Sequence, residues 1–176
     1  YKKYPVKEEF FEYVFDKHPD LREVFEEVCL NGSSCQIPKP DMVQLVSILK
    51  DNDYTPTIFS NMGYKMYQSV KRNSVELEAI LYYFNALEMV PCKEEGYICK
   101  PQPAYYEKYI KAAKGIKPDL KNIIFVDDKE ENIIGFDEAC KKFGLNFYGF
   151  FFRKENANAQ RLGEFLHDLL GINFNK

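Results

Sequence analysis

The segment IIFVDD, residues 123–128, constrains the fold more than any other stretch of this sequence. Its four consecutive apolar residues are typical of a strand that is buried on both faces, as in a parallel sheet. Two aspartates follow directly, and a helical pattern begins near Lys129 or Glu130. Since ligands of open α/β sheets bind just outside the carboxyl ends of the strands, the segment predicts a parallel strand with a charged site at its end.

The rest of the chain alternates short apolar runs with helical patterns. Residues 1–36 carry two helical patterns, and the segment from Met42 to Leu49 carries an amphipathic one. Beyond these, strands are predicted at 57–59, 86–90 and 147–151, and helices at 62–72, 75–84, 102–114, 133–143 and 158–170. Such alternation predicts an α/β fold with a parallel sheet covered by helices on both faces, and a small helical N-terminal appendage.

Composition narrows the class of protein. A chain of 176 residues suits one domain with a sizeable core. The net charge is −3 and no basic stripe is visible, so we expect no nucleic-acid partner. No apolar run approaches the ~20 residues that a membrane span needs. The first residue is Tyr1 rather than Met. We therefore expect further sequence upstream, where a targeting segment remains an open possibility.

The cysteines and histidines exclude other kinds of site. The 5 cysteines are scattered, without a CxxC pair, which fits neither a zinc site nor a disulfide framework. We therefore expect reduced thiols and a cytoplasmic protein. The 2 histidines, His18 and His167, give a Ser-His-Asp or Cys-His mechanism little to build on.

The acidic pair Asp127-Asp128 is the strongest candidate for a metal site. Two carboxylates at a strand end are unfavourable unless a cation or hydrogen bonds compensate them. The hard cation that prefers oxygen ligands and fits such a site is Mg²⁺. The alternative is that the aspartates only cap the following helix. One aspartate suffices for capping, so the pair favours the metal.

Two further candidates follow other predicted elements. Ser60 and Asn61 come directly after the strand at 57–59, where a hydroxyl and backbone N–H groups are placed to hold phosphoryl oxygens. Lys100 precedes Pro101, which favours an extended backbone and a fixed direction for the ammonium group. Taken singly, Ser60 reads as a helix cap and Lys100 as a surface lysine.

Together these residues resemble motifs II, III and IV of the haloacid dehalogenase-like hydrolases. The matching segments are SNMG at 60–63, KPQPAYYEKYI at 100–110 and IIFVDDKEENIIGFDEA at 123–139. The resemblance runs from about Pro40 to Phe152. It implies a Rossmann-like three-layer parallel sheet in a core at 37–176, with a small helical cap at 1–36.

The resemblance also implies roles for the candidate residues. Ser60, with Asn61, would bind the transferring phosphoryl group, and Lys100 would neutralise its developing charge. Asp128 would bind Mg²⁺ directly, with Asp127 as a second ligand or acting through water. Members that dehalogenate usually lack the acidic pair, so the pair favours a phosphatase that acts on a small phosphorylated substrate.

The family's nucleophile motif, an apolar strand ending in D-x-D-x-T, is missing from this sequence. The segment DNDYT at 51–55 has the letters, but it follows an amphipathic helix and we predict a helix-to-strand turn. Two hypotheses remain. Either the nucleophile lies upstream of Tyr1, which we favour, or the protein is an inactive relative that serves as a scaffold. For a scaffold, the 13 Tyr and 15 Phe residues, among them Tyr82-Tyr83, Tyr105-Tyr106 and the run at 147–152, would mark a surface for a protein partner. The alternative, which we favour, is that they pack against the sheet.

Overall fold

The computed structural model describes residues 6–33, 39–73, 84, 87–152 and 159–174. These residues form helices and strands in an alternating order after three initial helices. The elements are α1 (Lys7–Lys17), α2 (Leu21–Ser33), α3 (Pro40–Asp51), β1 (Ile58–Phe59), α4 (Tyr64–Asn73), β2 (Glu88–Met89), α5 (Pro103–Ile116), β3 (Asn122–Asp127), α6 (Glu130–Lys142), β4 (Asn146–Phe151) and α7 (Ala159–Leu170).

The predicted α/β class is confirmed. Each predicted strand corresponds to an observed strand, and the helices predicted in the described residues are present with shifts of a few residues at their ends. The helix predicted at 75–84 lies, except for residue 84, outside the described residues. No helix in the described ranges is long and apolar enough to cross a membrane.

The strands pair in parallel, as the sequence predicts. Within the described residues they form two sheets of two strands each, β1 with β2 and β3 with β4. In the second sheet the register joins Asn122 to Asn146 and Asp127 to Phe151. The predicted single three-layer sheet and the N-terminal cap remain predictions.

The chain divides into two compact units, residues 1–99 and residues 100–176. In the first unit, α1 and α2 pack through aromatic rings, with the Phe11 and Phe25 centroids 3.9 Å apart and those of Phe15 and Phe25 5.5 Å apart. The predicted division between a cap at 1–36 and a core at 37–176 stays a prediction.

In the second unit, aromatic side chains of the helices pack against the β3–β4 pair. On one face, Phe136 of α6 contacts Phe125 edge-on at 4.9 Å and stacks on Tyr106 of α5 at 5.0 Å. Phe150 points to the other face, since it is paired with Val126, and its ring lies 5.1 Å from Phe165 of α7. This packing buries Phe125, whereas Val126 on the opposite face of β3 is 37% exposed.

The DNDYT segment is a turn, as predicted. Helix α3 ends at Asp51, and Asp53 has a φ of 63°, a left-handed conformation that aspartate tolerates better than most residues. The side-chain amide of Asn52 donates to the Ile48 carbonyl oxygen at 2.8 Å and so helps to end the helix. The whole segment from Asp51 to Thr55 is exposed.

Candidate functional site

The acidic pair lies where the predicted strand ends. Strand β3 alternates buried and more exposed residues, and its buried face ends in Asp127, of which 6% is exposed. Asp128 follows as an exposed residue, and α6 begins at Glu130. A buried carboxylate is unfavourable unless it is paired, so the contacts of Asp127 decide what the site can do.

Asp127 is held by three donors. Its Oδ2 accepts a hydrogen bond from the Lys100 ammonium at 2.5 Å, in an ion pair that is almost fully buried. Its Oδ1 accepts from the backbone N–H of Lys129 at 2.9 Å and from the side-chain amide of Asn132 at 2.8 Å. Three donors, one of which carries the counter-charge, compensate the buried carboxylate, and the carboxylate in turn fixes the position of the Lys100 ammonium.

Lys100 is therefore not a surface lysine. Only 9% of its side chain is exposed, and its ammonium also lies over the ring of Phe125, 5.6 Å from the centroid. The two contacts direct the positive charge toward the end of β3. The sequence predicts a fixed direction for this ammonium, and Asp127 is the group that fixes it.

Neither aspartate is the N-cap residue of α6, which is Lys129, so the capping alternative reduces to one contact just before the helix. Asp127 binds the N–H of Lys129, the residue that precedes the first residue of α6. Asp128 is left as an exposed carboxylate that this capping does not require. The structure thus gives the two neighbouring aspartates different surroundings, one fixed and buried and the other accessible.

Asn132 is a site residue that the sequence reasoning missed. It is 3% exposed, and its Oδ1 has no hydrogen-bond partner among the described residues. Exchanging the amide oxygen and nitrogen would only place two acceptors face to face, because the nitrogen already donates to Asp127. The available signal was its place as the third residue of a helix, from which a side chain reaches back toward the helix start.

Mg²⁺ requires oxygen ligands, and the residues at the end of β3 meet this requirement in part. The described ranges contain no group of three or more His, Cys, Asp or Glu side chains that would hold a metal ion. The candidate metal-ligand atoms at the end of β3 are nevertheless all oxygens, namely those of two carboxylates and the amide Oδ1 of Asn132, which has no hydrogen-bond partner among the described residues. This donor chemistry fits Mg²⁺, with part of the ligand set supplied from elsewhere or by water.

Ser60 and Asn61 form a short loop between β1 and α4. The backbone N–H of Ser60 donates to the Met89 carbonyl at 3.0 Å, and the Ser60 hydroxyl oxygen accepts from the N–H of Met62 at 3.0 Å. Both Ser60 and Asn61 are partly buried. These bonds fix the serine hydroxyl close to the end of its strand.

The first turn of α4 already has partners for its N–H groups. Tyr64 donates to the Pro91 carbonyl at 2.8 Å, while Lys65 and Met66 donate to the Glu8 carboxylate at 2.9 and 3.3 Å. These are the N–H groups that a helix start offers to anions. A phosphoryl group at this loop would thus depend on Ser60 and Asn61 rather than on the first turn of the helix.

The structure brings together two of the predicted site residues, Lys100 and Asp127, with Asp128 next in the chain. Ser60 and Asn61 belong to the other compact unit, and their convergence with Lys100 stays a prediction.

Comparison with family models identifies the family. A model described as haloacid dehalogenase-like hydrolase matches residues 4–139, which include the SNMG, KPQP and VDDKEEN segments. This chain is a haloacid dehalogenase-like hydrolase family member. A second model, described as a protein of unknown function (DUF2608), matches residues 109–175. No curated protein and no solved structure matches the chain.

Proposed function

We propose that this haloacid dehalogenase-like chain is part of a Mg²⁺-dependent phosphomonoesterase, an enzyme that works through an aspartyl-phosphate. The observation that carries the proposal is the buried pair of Lys100 and Asp127 beside the exposed Asp128. A buried ion pair is weak evidence for a stabilising role, since apolar residues of similar volume often serve as well. A fixed ammonium at a strand end is, in contrast, what the neutralisation of a phosphoryl group requires.

Each residue has a distinct role in this proposal. Lys100 stabilises the charge that develops on the phosphoryl oxygens, and Asp127 holds its ammonium in place. Asp128 is the direct ligand of Mg²⁺, because it is the exposed carboxylate of the pair. Ser60 and Asn61 bind the phosphoryl oxygens through their side chains.

In this proposal, Asp127 and Asn132 assist Asp128, the direct ligand of Mg²⁺. Both Asp127 oxygens already accept hydrogen bonds, so this carboxylate acts mainly by orientation or through water. The Oδ1 of Asn132, which has no partner in the part of the chain that the structure describes, gives a further oxygen for a metal-bound water. Bound Mg²⁺ would supply Lewis-acid stabilisation of phosphoryl oxygens.

The nucleophile belongs, in this proposal, to a strand outside residues 1–176. Family members carry it on the middle strand of the sheet, and the described strands pair instead as two separate two-stranded sheets. The DNDYT segment does not replace it, because Asp51 ends a helix and is exposed.

The substrate is proposed to be a small phosphorylated molecule, and the compartment the cytoplasm. Cys92, Cys99 and Cys140 form no disulfide among the described residues, which agrees with a reducing compartment.

The test is hydrolysis of aryl and aliphatic phosphomonoesters by the complete gene product. We expect turnover with Mg²⁺ that a chelator removes and added Mg²⁺ restores. If the folded full-length protein with Mg²⁺ hydrolyses none of a broad panel of phosphomonoesters, the proposed enzymatic activity is refuted.

A second candidate function is an inactive scaffold that binds a protein partner. The observation that favours it is a set of exposed apolar side chains on α1 and α2, namely Phe10, Tyr13, Leu21, Val24 and Val28. Exposed apolar patches mark interaction surfaces. A scaffold would keep its partner after Asp128→Asn, would lose it after Val24→Asp with Val28→Asp, and would show no hydrolysis.

A further inference from the structure

Glu8 makes an unusual set of contacts for a glutamate in the first turn of a helix. It is 5% exposed, whereas Glu9, Glu12, Asp16 and Lys17 of the same helix lie closer to solvent. Its Oε2 accepts from the backbone N–H groups of Lys65 and Met66 at the start of α4, 57 and 58 residues away in sequence. Its Oε1 accepts from the hydroxyl of Tyr97 at 3.4 Å.

The surroundings are built around this carboxylate. A Cβ at position 63 would lie 2.3 Å from the Glu8 Oε2, so only glycine fits between Glu8 and the start of α4. Val6 and Tyr97 are buried in one apolar cluster with Cys99, which anchors the start of α1. Burial first, and then the Glu8 charge, raise the pKa of the Tyr97 hydroxyl, which therefore stays a donor.

The contact acts on the loop that carries Ser60. That loop, residues 60–63, is fixed at its start by the bond from the Ser60 N–H to Met89. Its far end is fixed by the first turn of α4. There the Glu8 carboxylate accepts hydrogen bonds from two backbone N–H groups, and the Pro91 carbonyl accepts one from the N–H of Tyr64. A negative charge at a helix start is also favoured by the helix dipole.

We infer that Glu8 is a positioning residue that fixes the conformation of the Ser60 loop, the loop that binds phosphate in the proposed function. The inference rests on the proposed function for its kinetic consequence only. Glu8 does not touch substrate in this account. It acts through the start of α4, as an internal anion that holds the N–H groups in place and leaves phosphate recognition to Ser60 and Asn61.

The variants that test it are Glu8→Ala and Glu8→Gln, with Glu12→Ala as the matched control. Glu12 lies one turn further along α1 and binds the side-chain ammonium of the same Lys65 at 2.9 Å, so it contacts α4 without holding its backbone. Glutamine keeps an oxygen acceptor for the two N–H groups, and Tyr97 is able to accept from its amide nitrogen.

The first readout is hydrogen exchange at the amides of Lys65 and Met66, which needs no activity. We expect Glu8→Ala to exchange there about tenfold faster than wild type, and Glu12→Ala to match wild type. Equal exchange in Glu8→Ala and wild type would overturn the inference. If Glu8→Ala does not fold, Tyr97→Phe takes its place and should accelerate the same amides to a smaller extent. No acceleration in Tyr97→Phe would then count against the inference.

The second readout is steady-state hydrolysis of an aryl phosphate by the full-length protein with Mg²⁺. We expect KM to rise about tenfold in Glu8→Ala with kcat changed much less, and Glu8→Gln to recover most of the loss. Unchanged KM in Glu8→Ala would overturn the positioning role. A wild-type protein without hydrolysis would instead refute the proposed function, and the exchange measurement would still decide the role of Glu8.

Discussion

Asp51 and Asp53 lie at the exposed end of α3, whereas Asp127 lies at the buried end of β3 in contact with a lysine. The first segment matches the letters of a nucleophile motif, and the second has only two adjacent aspartates. The elements that precede them explain the difference. A helix of amphipathic pattern ends in solvent, while the buried face of an apolar strand ends in a carboxylate that is almost fully buried.

The comparison shows how context decides the chemistry of a carboxylate. An exposed aspartate in a turn is solvated and needs no partner. A buried one needs donors, and Asp127 has an ammonium, a backbone N–H and an amide at 2.5 to 2.9 Å. Substitutions in the two segments should therefore differ greatly in effect.

The largest effect on stability is expected for Lys100→Met. It leaves the Asp127 carboxylate buried without its cation, and the free energy of unfolding should fall by ~3–5 kcal/mol. Urea denaturation measures the change. The matched control is Lys141→Met, which removes an exposed ammonium 2.6 Å from Asp137 and should leave stability nearly unchanged, because solvent screens that pair. If the two variants lost equal free energy of unfolding, the conclusion that Asp127 depends on Lys100 as a buried partner would be contradicted.

A smaller loss is expected for Asn132→Ala. The variant removes one donor from Asp127 and also an amide oxygen that has no partner among the described residues, so stability should fall by ~1–3 kcal/mol. The control is Asn146→Ala, since Asn146 donates to Asn122 at an exposed site at the same distance of 2.8 Å. A larger loss in the control would show that the Asp127 network contributes little.

The smallest effects are expected in the turn. Asp51→Asn should change the free energy of unfolding by ~0.5 kcal/mol or less, because the side chain is exposed. Asp53→Gly should be neutral or stabilising by up to ~1 kcal/mol, since glycine adopts a φ of 63° without steric strain. Thermal or urea unfolding checks both, and a loss above ~2 kcal/mol in either would mean that the turn is more than a connection.

Much of this fold was predictable because local patterns carry it. The apolar run at 123–126 predicted strand β3. The helical spacing of apolar residues from Met42 onward predicted that DNDYT is a turn at the end of a helix. The α/β class and the family followed from the same alternation and from the SNMG, KPQP and VDDKEEN segments.

The contacts between distant segments were not predictable in the same way. Glu8 reads as an ordinary acidic residue in the first turn of a helix, and nothing local connects it with Lys65, 57 residues later. The burial of Lys100 and the unpaired oxygen of Asn132 likewise depend on packing around the end of β3. Side-chain pairing over such separations is set by tertiary structure, which residue patterns describe only in part.

The most direct test of the account compares Asp128→Asn with Asp51→Asn in Mg²⁺-dependent phosphomonoester hydrolysis by the full-length protein. We predict that Asp128→Asn lowers kcat/KM at least about 100-fold, because it removes the accessible carboxylate at the end of β3. Asp51→Asn should keep activity within about twofold of wild type, because its side chain lies in an exposed turn. Retained activity in Asp128→Asn, or its loss in Asp51→Asn, would contradict the assignment of the site.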